Sequence, residues 1–274
     1  MPPDLRKYST DAAVHRIQRQ LDTRFDLTTE VRKRRSLGFR TDRNTWVRIE
    51  IRDLSRLDGQ SWGIEDAAVL EDVTMPAWHR GLSWIDHELS VMWRADETEL
   101  ITDSSIKPGG ILTIEPELSE AWWATLNSSL DALAKYPTTR IATSAGSRIT
   151  QERITTAIQQ VFPDIDTTIT EWTTAHADLA WANLTAPNCY LLDWEDWGLA
   201  PRGYDASTVW GASLAVPALA ERVYQERHTD LDSRSGQLAQ LYYCAKVIAV
   251  GERYGSLVAP ATESANELVR ALRA

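Results

Sequence analysis

Along the first hundred residues the apolar positions change period several times, and each change marks an element. Between Thr10 and Phe25, Ala13, Val14, Ile17 and Leu21 recur at spacings of three and four. That pattern predicts an amphipathic helix, with Ser9 or Thr10 available to cap it. Leu37 and Phe39 on one side, and the run Thr45 to Ile51 on the other, flank the polar turn Thr41-Asp42-Arg43-Asn44. Two β-rich runs about such a turn predict a hairpin. Ile64, Ala67, Ala68 and Leu70 suggest a short helix that Pro76 stops soon afterwards, and Leu89 to Trp93 reads as a further strand. The expected product is a small sheet with one crossing helix.

Lys107-Pro108-Gly109-Gly110 is the clearest breaker cluster in the middle of the chain. It places a connection between Trp93 and Gly110, hence an N-terminal region 1–100 and a C-terminal region 101–274. The second region is helix-rich. Helical patterns run from Glu117 to Ala134 (Trp122, Leu126, Leu130, Leu133) and from Thr150 to Phe162 (Ile154, Ile158, Val161). Others are expected near Leu214 to Glu226, Gly236 to Val250 and Thr262 to Leu272, after a stretch of β-type segments. The fold class expected is α+β: a small β-rich N-terminal lobe and a larger, mainly helical C-terminal one.

Composition narrows the field. The 274 residues can bury a sizeable core, and 43% hydrophobic with 25% charged is ordinary for a globular protein. No run of 18 apolar residues exists, so no membrane span is expected, and the first twenty residues do not resemble a secretory signal. A formal charge of −10 argues against a nucleic-acid partner, which would need a basic face. The one basic cluster, Arg32-Lys33-Arg34-Arg35, suits a solvated strand edge better than an anion site. Two cysteines, Cys189 and Cys244, without a CxxC pair, fit reduced thiols in a cytoplasm rather than zinc or a disulfide framework. Twelve tryptophans are unusual, and most belong in packing.

The chemistry concentrates between His176 and Asp205. Asp178 and Asn183 lie five residues apart in one polar segment, and Asp193 follows at the end of the apolar run Tyr190-Leu191-Leu192. The spacing reads as a loop, a short hairpin, and a second carboxylate carried back beside the first. Phosphoryl transfer needs one carboxylate to orient the attacking hydroxyl and oxygen ligands to hold Mg²⁺. Taken singly, each of these residues would also suit ordinary turn chemistry. The combination is specific. His176-x-Asp178-x-x-x-x-Asn183, then Asp193-Trp194-Glu195, Gly198, Pro201 and Tyr204-Asp205, resembles the aminoglycoside phosphotransferase family.

The resemblance implies a bilobal protein-kinase-like fold and an ATP-dependent (or GTP-dependent) kinase acting on a hydroxyl of a small molecule such as an aminoglycoside, amino alcohol or sugar. By that analogy Asp178 is the catalytic carboxylate, Asn183 and Asp193 hold Mg²⁺, His176 bonds within the loop, and Asp205 braces the loop backbone. Where the family's small lobe carries a phosphate-pairing Lys, this chain has Arg48. Arg48 is the candidate phosphate contact and Glu65 its candidate partner, with Glu71 behind it. A Gly-rich loop is absent, Gly38 being the one glycine of the first hairpin, and Trp181 stands inside the catalytic loop, where packing is its expected role. These departures keep a non-catalytic nucleotide-binding or scaffold role open. Glu195 and Asp196 suit either an aminated acceptor or solvated loop positions. Acceptor identity and oligomeric state are not legible.

Overall fold

The computed structural model describes residues 2–56, 62–144 and 146–273. The chain divides into two compact units, Met1–Val69 with Pro76–Thr102, and Leu70–Met75 with Asp103–Ala274. It is an α+β protein, as expected.

The first unit is built on a five-stranded antiparallel sheet of order β1-β2-β3-β5-β4, from β1 (Phe25–Arg32), β2 (Ser36–Thr41), β3 (Thr45–Asp53), β4 (Trp78–Asp86) and β5 (Val91–Glu99). Helix α1 (Asp11–Gln20) lies within the predicted span, with Val14 and Ile17 buried; the Thr10 hydroxyl does not cap it. The predicted hairpin is β2–β3, in the register Leu37↔Ile49 and Gly38↔Arg48. Alternation on β3 sends Val47, Ile49 and Ile51 into a core with Leu37, Phe39, Trp93, Ala95 and the α1 residues. Each fully buried aliphatic side chain there contributes roughly 1.5–3 kcal/mol. The opposite face carries Arg48, Glu50 and Arg52 of β3 and Arg94 and Asp96 of β5, with Arg48 opposite Asp96 and Glu50 opposite Arg94. Gly38 is glycine because the Trp46 ring lies across it. Helix α2 (Gly63–Ala67) is shorter than its apolar pattern suggested, and Arg32 to Arg35 occupy the exposed turn from β1 into β2.

The second unit is helical around short β pieces. Its elements are β6 (Ser104–Ser105), α3 (Glu120–Lys135), β7 (Thr143–Ser144), β8 (Ser147–Arg148), α4 (Gln151–Gln159), β9 (Trp172–Ala175), β10 (Thr185–Ala186), β11 (Gly198–Pro201), α5 (Tyr204–Ser213), α6 (Pro217–Leu231), α7 (Arg234–Val250) and α8 (Val258–Arg273). Side-chain caps start α3, α4 and α7: Ser119, Thr150 and Ser233 accept from the backbone amides of Trp122, Arg153 and Gly236. β9 and β11 pair antiparallel, Ala175 opposite Gly198, and deliver the chain into and out of the His176–Trp197 segment. The tryptophans pack as expected. Trp122, Trp123 and Trp181 are buried against one another, and the Trp181 indole donates to Ser213 Oγ at 3.0 Å. No helix among the described residues is long and apolar enough to cross a membrane.

Candidate active site

The loop after β9 is held from below by one buried carboxylate. Asp205, in the first turn of α5 and 6% exposed, accepts the backbone N–H of His176 at 2.7 Å and of Ala177 at 2.8 Å. These are the bracing bonds that the family resemblance implied for Asp205. They fix Ala177 at φ 70°, a conformation a non-glycine residue adopts only when its surroundings enforce it. Burial raises the proton affinity of Asp205, against the pull of His176 and of the two amides. His176 is fully buried; its Nε2 lies 2.9 Å from the Leu192 carbonyl, and its ring meets Trp194 edge-on at 4.6 Å. A carbonyl only accepts, so Nε2 carries the proton.

Asp178 emerges beside this anchor. The Asn183 side-chain Nδ2 donates to the Asp178 backbone carbonyl at 2.7 Å and to its carboxylate at 3.0 Å, which orients the carboxylate. The Leu192 amide donates to the Asn183 carbonyl at 2.8 Å, which ties the segment before Asp193 back onto the loop. One expectation is corrected here. The run Tyr190 to Leu192 forms no strand, only an isolated bridge between Leu184 and Leu191. The Thr185 amide donates to the Tyr190 carbonyl on the other side of that bridge, so the two segments run antiparallel over a few residues, while the Leu191 amide points away from them to the Thr74 carbonyl. Asp193 follows with φ 66°, immediately before the turn at Trp194 and Glu195.

Three carboxylates gather at this point. The proton affinity of Asp178 is raised first by burial and then by the negative charges of Asp196 and Asp193, with His176 and Asn183 opposing. One side of Asp178 is open to solvent, yet enough protein surrounds it that its charged form is under-solvated. Asp196 is not a free loop charge: its carboxylate accepts the Thr143 hydroxyl and its carbonyl accepts the Thr143 amide. Arg140 pins the same segment through the carbonyls of Glu195 (3.0 Å) and Trp197 (2.7 Å). Gly198 is required because any Cβ there would strike the backbone of 140–142.

In the first unit, Arg48 lies centrally on the charged sheet face, its Nη2 3.5 Å from Glu50. Glu65 was expected to partner Arg48, but its 2.9 Å ion pair is with Arg94, one strand over. Helix α2 packs on β4, which brings Glu65 toward the β5 side of the sheet. Arg94 also donates to both oxygens of Asp96, and Trp62 stacks near the guanidinium groups of Arg52 (4.3 Å) and Arg94 (5.3 Å).

No protein-family model and no curated protein sequence matches the chain. Solved structures do. An APH(2″) protein in complex with GDP and kanamycin superposes with a TM-score of 0.58 at 14% identity, over 97% of this chain and 98% of that one. An amicoumacin kinase in complex with AMP-PNP, Ca²⁺ and Ami gives 0.53 at 10% identity, over 92% and 93%. A choline/ethanolamine kinase family protein from Mesorhizobium loti gives 0.50 at 13%, over 96% and 99%. This is the kinase-like fold of the aminoglycoside phosphotransferases. The residues described above that sequence reasoning did not single out are Arg94 and Arg140.

Proposed function

We propose that the protein is a small-molecule kinase that transfers the γ-phosphoryl of ATP or GTP to an acceptor hydroxyl. The observation that carries the reading is Asp178: a carboxylate aimed by Asn183 on a loop that Asp205 locks by two backbone bonds. Asp178 orients the attacking hydroxyl and takes its proton, and a proton affinity above that of an ordinary carboxylate suits this role. Catalysis then consists of positioning and charge stabilisation rather than covalent chemistry.

The donor set suits Mg²⁺. Asn183 and Asp193 offer hard oxygen ligands, and the mutual repulsion of Asp178, Asp193 and Asp196 calls for a cation. Among the described residues no group of three or more His, Cys, Asp or Glu side chains could hold a metal, so phosphate oxygens and water would have to complete the site. When bound, the metal would neutralise phosphate charge. Arg48 is the proposed phosphate contact, with Glu65 acting through the ion-paired sheet face. Two buried free thiols accord with a cytoplasmic setting. The alternative, a non-catalytic nucleotide-binding protein, is favoured by one observation: Arg94 of the charged face is already neutralised by Asp96 and Glu65.

Calorimetric titration with non-hydrolysable ATP and GTP analogues, with and without Mg²⁺, tests this. Mg²⁺-dependent binding that Asp193→Ala removes and Asp178→Ala retains is the expected result. Binding of neither analogue would refute the kinase reading, and analogue binding without transfer to any acceptor would favour the alternative.

A further inference from the structure

Leu191 and Leu192, which carry the chain into Asp193, have every backbone donor and acceptor bonded. The Leu192 amide donates to the Asn183 carbonyl at 2.8 Å, and the Leu192 carbonyl accepts from His176 Nε2 at 2.9 Å. The Leu191 carbonyl accepts the Trp194 indole at 2.8 Å. Those partners all belong to the catalytic segment itself. The partner of the Leu191 amide does not: it is the Thr74 carbonyl, 2.9 Å away and far upstream in sequence.

Thr74 sits in the stretch Leu70–Met75, which falls between α2 and β4 in sequence yet belongs to the second unit. Its own amide donates to Ser129 Oγ at 3.1 Å, and Ser129 is fully buried on α3. Two hydrogen bonds in line therefore run from α3 through Thr74 to Leu191. One turn-set earlier on the same helix, the Trp122 indole donates to the Thr185 carbonyl at 2.7 Å, so α3 also holds the segment that faces Tyr190.

This line matters because Leu191 is fully buried and Asp193 is held at φ 66°. A buried amide without an acceptor is costly, so the Leu191 amide has to follow the Thr74 carbonyl wherever it goes. A non-glycine residue keeps a positive φ only while its surroundings enforce it. Without Ser129 Oγ the Thr74 amide loses its acceptor, the stretch shifts to find another, and the support under Asp193 shifts with it.

We propose that Ser129 is a positioning residue for Asp193, acting through Thr74, and that it tunes the affinity of the site for a divalent cation it never touches. The proposal rests on the reading of Asp193 as a Mg²⁺ ligand.

Two readouts test it. In the metal-free protein, amide hydrogen exchange followed by NMR should find Leu191 protected, and Ser129→Ala should speed its exchange about tenfold or more. The His176 and Ala177 amides, which Asp205 holds, should keep their wild-type rates. Calorimetric titration with the non-hydrolysable nucleotide analogue over a series of Mg²⁺ concentrations should place the Mg²⁺ midpoint of Ser129→Ala about tenfold higher, with analogue affinity at saturating Mg²⁺ unchanged. Ser129→Thr keeps the hydroxyl and should restore most of both effects. Ile158→Val, at a fully buried α4 position outside this line of bonds, should move neither. The proposal is overturned if the wild-type Leu191 amide exchanges freely, if Ser129→Ala leaves its rate or the Mg²⁺ midpoint unchanged, or if Ile158→Val shifts the midpoint as much. Should Ser129→Ala fail to fold, Ser129→Cys, whose sulfur is a weaker acceptor, is expected to shift both readouts in the same direction, and no shift counts against the proposal. A wild-type protein that binds the analogue with Mg²⁺, beside variants with an unmoved midpoint, sinks this proposal alone. A wild-type protein that binds no analogue sinks the kinase reading and this one with it.

Discussion

Removing the Asp205 carboxylate should loosen the catalytic loop by an amount the structure bounds. Asp205→Ala leaves the amides of His176 and Ala177 without an acceptor in a buried setting. Each orphaned buried donor costs about 1–3 kcal/mol, which gives roughly 2–6 kcal/mol in all. The carboxylate is itself under-solvated, so its removal returns part of that cost, and the lower half of the range, about 2–4 kcal/mol, is expected. Ala177 at φ 70° then has nothing holding it there, and the loop relaxes. Hydrogen exchange reads this directly: the two amides should exchange roughly 30- to 1,000-fold faster than in wild type. Asp205→Asn keeps one acceptor oxygen and should fall between. If Asp205→Ala unfolds in urea within about 0.5 kcal/mol of wild type and both amides keep their protection, the bracing argument is wrong.

Three further outcomes follow from other parts of the molecule. Asp178→Asn should abolish transfer yet stabilise the fold, because the folded chain holds the Asp178 proton to higher pH than the unfolded chain, so wild-type stability is lost as pH rises through the folded pKa. Melting both proteins between about pH 3 and pH 8 should show the variant's advantage growing with pH, and a shrinking advantage would contradict the assigned burial. Gly81→Ala would press a methyl group into the Arg94 guanidinium and the Asp96 carboxylate. A loss of about 1–3 kcal/mol is expected in urea unfolding, and an unchanged midpoint would show that the charged face yields freely. Cys189 and Cys244 are buried thiols with pKa values pushed up to about 12, so neither should react with Ellman's reagent until the protein is denatured. Rapid reaction of the native protein would place one of them at the surface.

The elements legible in the chain are those whose burial is one-sided and local. Ile17 and its neighbours announced α1, and Val47, Ile49 and Ile51 announced β3, because one face of each must leave water. Strand β1 was hidden because only Phe25 of its eight residues is buried: an edge strand needs no alternation when its neighbour supplies the hydrogen bonds. The same holds for β4, where only intermediate and exposed positions alternate and Gly81 interrupts the run. The loop cluster was legible because Asp178 and Asn183 are five residues apart and bond within one turn of chain.

What the sequence by itself determined, then, is the class of the fold, the identities of the two units' main helices and central hairpin, and the residues gathered in one polar loop. Local spacing decides these, since backbone geometry converts a period into a face. Tertiary structure alone decided that Glu65 meets Arg94, and that Arg140 reaches the carbonyls of Glu195 and Trp197. Those pairings join residues 29 to 57 positions apart. No local period encodes them, because the partner of a charge is set by which surfaces the packed helices and sheet bring together.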